Sequence, residues 1–108
     1  MKLLKTVQVI FVAVAMSHGI PAMSDMTKSD RKDCSNKSLI AEKIMESRQK
    51  GVPMREMMDI AGDDKLMQLM VTSAFDEPRF STDKMQRKSI TDFGNKIYGY
   101  CVEAKSKK

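Results

Sequence analysis

Residues 82–104 read TDKMQRKSITDFGNKIYGYCVEA. Ile90, Phe93, Ile97, Cys101 and Ala104 recur in it at steps of three or four residues. Such steps gather side chains on one face of an α-helix, whereas a half-buried strand would alternate every second residue. Ser81 or Thr82 can cap the start, because a short hydroxyl side chain accepts from the free N–H groups of a first turn. The stretch therefore predicts a C-terminal helix over about 82–104, with Cys101 on its core face.

Upstream, the same reading repeats three times. Ile40, Ala41, Ile44 and Met45 lie at helical spacing within about 36–50, with Ser35 or Asp33 as cap and Gly51 as the stop, since glycine adopts the left-handed conformation that ends many helices. Pro53 suits the first position of a short helix over about 53–61, where its missing N–H costs nothing. That helix carries Met54, Met57, Met58 and Ala61 and stops at Gly62. Asp63 can cap a third helix over about 64–75, in which Leu66, Leu69, Met70 and Ser73 make one stripe and Met67, Val71 and Ala74 an adjacent one. So wide an apolar arc marks this as the helix expected to be most buried. Pro78 bars its continuation. With no strand pattern and short connections, the expected fold is all-α: a small four-helix domain over 35–104, one helix short. A flexible leader is expected over 25–34, and a solvated basic tail at 105–108.

The chain opens with Lys2 and Lys5, an apolar run from Val7 to Met16 broken only by Gln8, and then Ala22-Met23-Ser24. A basic start, an apolar run of roughly 7–15 residues and a small-residue cleavage site define a secretory signal peptide, expected here over 1–24. The run is too short for the roughly 20 apolar residues of a membrane span. The expected location is the bacterial periplasm or beyond, with no stable span after cleavage.

Removing residues 1–24 takes with it His18, the one histidine of the chain, and leaves seventeen basic against fourteen acidic residues. The mature chain then lacks an imidazole, and with it Ser-His-Asp and Cys-His catalysis within one chain. A charge of +3, interspersed and short of aromatic residues, is not the basic stripe of a nucleic-acid binder. No enzymatic activity, no cofactor and no metal are expected; an enzyme built on carboxylates alone is the third-ranked reading.

Two cysteines remain, Cys34 and Cys101. An even count in a small exported chain reads as a disulfide. Closing a loop of this length would remove roughly 4 kcal/mol of unfolded-chain freedom in the entropy model. A redox-active pair would want Cys-x-x-Cys spacing, and free or intermolecular thiols are the remaining reading.

Arg48-Gln49-x-Gly51-Val52-Pro53-Met54, Ala74-Phe75 with Pro78-Arg79, and then Gln86, Ile90, Asp92-Phe93, Asn95, Tyr98 and Cys101 form, with Cys34, a spaced pattern. The pattern resembles small exported, cysteine-paired helical proteins of unknown function from bacteria and from phages or prophages. It spans about Cys34 to Cys101, with Ala-Phe at 74–75 where that group would lead one to expect Ala-Tyr. The resemblance implies a Gram-negative, phage-linked setting and brings no ligand or catalytic residue.

The candidate partner contacts are Arg48, Gln49, Met54, Met57, Met58 and Arg79. Each has a structural reading beside it. The arginines can meet a helix C-terminus or fork onto a carboxylate such as Asp92, and methionines fill irregular core gaps as well as line adaptable surfaces. Met54, Met57 and Met58 also raise Cu(I), which soft thioethers select; helical spacing without a histidine favours packing. Asp63-Asp64 reads as cap and first-turn charge, not as a calcium loop. Of Tyr98 and Tyr100, two apart on a helix, one is expected to pack and one to face solvent. Function is expected to be the binding of a cell-envelope protein, with a holdase for unfolded chains as the alternative.

Overall fold

The computed structural model describes residues 26–107; the expected signal peptide lies outside the described residues. Four helices follow one another: α1 Lys28–Gln49, α2 Met54–Ala61, α3 Lys65–Phe75 and α4 Asp83–Ser106. Among the described residues there is no strand. The all-α fold with one short helix is as the periodicity predicts.

α1 and α4 are the long members and form the main contact of the molecule. They run antiparallel, since the start of α1 is bonded to the end of α4 through Cys34 and Cys101, while Gln49 at the end of α1 reaches Ser89 near the start of α4. α3 leans on α1, and α2 packs on α3. The core between them is Ala41, Ile44, Met45, Met57, Met70, Val71, Ala74 and Phe93. Gly94 lets α4 come close to α1. A Cβ there would stand 2.6 Å from Glu42 Cγ, and the Ser38 hydroxyl donates to the Gly94 carbonyl at 2.8 Å.

The start of α1 corrects the expected leader. The helix begins at Lys28, eight residues before Asn36, and neither Ser35 nor Asp33 is its cap. Thr27 is: its hydroxyl accepts from the Asp30 N–H at 3.0 Å, and the Asp30 carboxylate accepts from the Thr27 N–H at 3.2 Å. This reciprocal pair satisfies two donors that a first turn leaves open. Asp33 then bridges one turn to Lys37 at 2.8 Å. In this part of α1 only Cys34 is buried, so no apolar stripe announces the helix. A cap, an ion pair and a covalent tether order it.

The far end of α4 is corrected for the same reason. The helix runs to Ser106, and Lys105, expected in a solvated tail, reaches the Asp33 carboxylate at 2.9 Å. Of the two expected caps of α4, Ser81 and Thr82, it is Thr82 that serves, accepting from the Met85 N–H. In α3 the cap is Asp64 and not Asp63. Pro53 precedes α2 as its cap residue instead of occupying its first turn. Gly51 supplies the positive φ, +90°, that turns the chain out of α1.

α3 has the largest share of buried residues of the four helices, as its wide apolar arc predicts, but that arc is not fully covered. Met70, Val71 and Ala74 reach the core, but Leu66 and Leu69 are exposed. Its apolar arc is wider than the neighbours available to cover it. On α1, Ile40 is exposed and Ala41 takes the core position, one residue, or about 100°, around the helix.

Candidate functional site: a polar latch and an apolar groove

Arg48, Gln49 and Arg79 are brought together, but as a latch. Gln49 ends α1 and is 1% exposed. Its amide nitrogen donates to the Pro78 carbonyl at 3.0 Å, and its amide oxygen accepts from the Phe80 N–H at 2.8 Å. Arg79 Nε donates to the Gln49 carbonyl at 3.0 Å. Arg48 Nη2 donates to the Glu77 carbonyl at 3.2 Å, and its guanidinium lies 4.6 Å over the Phe75 ring, an attractive cation–π placement. The backbone polar groups of the α3–α4 connection that face α1 are part-buried and need partners, and the tip of α1 supplies them. Neither arginine forks onto Asp92, which pairs with Lys88 at 2.6 Å. The reason is local: the helix end presents donors next to carbonyls that the connection leaves open. Gln49 is thus enclosed by the fold, and Arg48 and Arg79 hold backbone.

The methionines of α2 separate by face. Met57 is buried in the core, Met58 packs against it and Met54 is exposed. Among the described residues, no three His, Cys, Asp or Glu side chains gather to hold a metal ion, and no helix is long and apolar enough to cross a membrane.

Cys34 and Cys101 form a disulfide with Cα atoms 5.5 Å apart. Cys34 is fully enclosed, and Cys101 meets the wall of a groove between α3 and α4. The groove has a volume of about 420 Å³. α3 contributes Leu66, Leu69, Met70 and Ser73 to it, and α4 contributes Ile97, Tyr100 and Ala104. Both helices rest on α1 while scarcely touching each other, so a groove is left open between them. Leu69 is 63% exposed and Tyr100 57%. Tyr98 is half-buried, so the two tyrosines divide as expected. Ala104 and Cys101 mark the disulfide end of the groove, where Lys37 and Lys105 also line it.

Behind that end, Asp33 accepts from both Lys37 and Lys105, and Asp30 stands 3.9 Å from Lys105. Hydrogen bonds from Lys37 and then Lys105 hold the Asp33 carboxyl down to about 2, against an ordinary 3.8. The same Asp33 bond raises Lys105. A carboxylate depressed by folding contributes stability above its unfolded pKa and loses it as pH falls through the folded one. Docking of the α1 start is therefore expected to hold down to pH ~4 and to loosen between about 3.8 and about 2. Carboxyl carbon shifts of Asp33 check this: a midpoint near 2 agrees, and a midpoint near 4 means the shared carboxylate is not formed.

Leu66, Leu69, Met70 and Ser73 were visible as a stripe, and the signal that could have found the groove was the breadth of the α3 arc. No protein-family model matches the chain, and no curated protein or solved structure matches it significantly.

Proposed function

We propose that the protein is an exported, non-enzymatic binding module that docks an amphipathic helix of a cell-envelope protein between α3 and α4. The observation that carries this reading is the open groove with Leu69 and Tyr100 more than half exposed between two helices that rest on a third. Helix-in-groove recognition lays apolar residues at i, i+3, i+4 and i+7 into such a channel. Leu66 to Ser73 spans two turns, about 10 Å at 1.5 Å per residue, which suits a segment of two to three turns. A disulfide-tied domain fits an oxidising compartment, in line with the periplasmic or secreted location read from the signal sequence.

The double variant Leu69→Glu/Tyr100→Ala tests the reading. Both positions face solvent, and surface substitutions of this kind change stability by about 0.5 kcal/mol or less. The variant is expected to melt within a few degrees of the parent and to lose the partner that crosslinks to the parent in periplasmic extract. Undiminished capture would contradict the proposal.

A holdase is the second reading. It draws on Met57 and Met70, which lie in the core that the α2–α3 hairpin closes over α1, so that opening the hairpin would uncover soft, adaptable side chains. A holdase suppresses aggregation of unrelated proteins and is indifferent to the groove substitutions.

A further inference from the structure

The groove is polar in the lengthwise sense. Its disulfide end is lined by Lys37 and Lys105, and no carboxylate lines it anywhere. The two ammonium groups share one hydrogen-bonded carboxylate, Asp33, at 2.8 and 2.9 Å. Each ammonium has three N–H donors, so the cluster has donors left over at the mouth of an apolar channel. Lys105 lies partly covered, with 19% of its side chain exposed.

We infer that the bound helix enters in one direction, with acidic side chains on the end that meets Lys37 and Lys105. This rests on the groove being the docking site. A carboxylate at that end gains charge-assisted hydrogen bonds from the N–H donors that Asp33, and Asp30 at 3.9 Å from Lys105, leave free. A lysine or arginine there would face two ammonium groups, and like charge across an interface disfavours the wrong partner or the wrong direction. A second copy of the chain fits less well, because its own groove would bring the same pair of lysines to the contact. The opposite end, at Ser73 and Ile97, is uncharged among the lining residues and leaves the other end of the helix without an electrostatic demand.

The test uses disulfide-bonded protein purified from cells that make the full-length chain, and three synthetic peptides. The peptides share one amphipathic leucine and alanine sequence and differ in carrying two Glu, two Gln or two Lys in one terminal turn. Methyl NMR of Leu66, Leu69, Met70 and Ile97 reports occupancy. The Glu peptide is expected to bind about tenfold more tightly than the Lys peptide at low salt, from two partly exposed ion pairs. The gap should close at 1 M salt, where the screening length falls to about 3 Å. A spin label on the opposite end of the Glu peptide should broaden Ile97 and spare Ala104. Lys37→Gln/Lys105→Gln should remove the preference; the salt series on the parent protein gives the same reading should that variant fold poorly. Equal affinity for all three peptides, with shifts still in the groove, overturns the directional inference and leaves the docking site standing. No shift at the groove residues with any peptide overturns both.

Discussion

Replacing Cys34 and Cys101 together by alanine is expected to lower stability by about 4 kcal/mol. The bond joins residues 67 apart in sequence, and the unfolded chain regains that loop freedom when it is removed. A small domain has roughly 5–15 kcal/mol in total, so the loss takes a large share of it. The local effect should be larger than the global one. Through the first two turns of α1, Cys34 is the one buried side chain, and the ion pairs of Lys105 with Asp33 and Asp30 are the remaining ties to α4. In urea unfolding the midpoint is expected to fall by a third or more. Amide exchange should speed first over residues 28–37 and 98–106. A midpoint change worth less than ~1 kcal/mol would show that apolar packing alone holds α1 to α4, and that the chain entropy argument fails here.

Gln49→Leu is expected to cost about 2–4 kcal/mol. Leucine fills much of the same space and removes the acceptor of the Phe80 N–H and the donor to the Pro78 carbonyl. Both part-buried backbone groups then lose their partner, and a polar group left unsatisfied costs more than the lost bond itself. Gln49→Glu separates the two halves of this argument. It keeps an oxygen for Phe80 but sets a carboxylate against the Pro78 carbonyl where an N–H donated. Protonated, that carboxyl can donate again. Gln49→Glu should therefore be least stable near neutral pH and recover part of the deficit as the pH falls toward 5, a trend that Gln49→Leu should lack. Parallel pH profiles for the two variants would mean that shape, and not hydrogen bonding, fixes the latch. Because the latch seats the α3–α4 connection, either variant should also weaken binding at the groove.

Much of the architecture is local chemistry and was legible without a structure. Gly51, Gly62 and Pro78 interrupt helices through backbone constraints that operate in any context. The α4 cap was identifiable as Ser81 or Thr82, because a capping hydroxyl needs only its own first turn, and Thr82 is the one used. The pairing of Cys34 with Cys101 followed from there being two cysteines in a chain that reads as exported, and the structure forms that bond. The first two turns of α1 were not legible. Their order depends on Lys105, more than seventy residues away, and on a covalent bond, and neither leaves a periodic trace. Asp30 also stands where the familiar capping box has Glu or Gln, which hides the signal further.

The groove was half legible. The α3 stripe was seen, but periodicity reports that a face is apolar and is silent on whether anything covers it. Coverage depends on how α3 and α4 settle on α1, a matter of tertiary packing. For the latch residues the structural reading holds, though the partner is backbone and not a carboxylate such as Asp92. Arginine and glutamine at the end of a helix look like contacts, and here the contacts they make are with the protein's own backbone.

Site-specific photocrosslinking in intact cells tests the central claim most directly. A photoreactive residue would replace Leu69 in the groove and, separately, Leu39 and Ile60, which are similarly exposed outside it. The account predicts one dominant adduct from position 69, mapped to the apolar face of a helix in a cell-envelope protein, and none from 39 or 60. No adduct at 69, or the same adducts from all three positions, would contradict it.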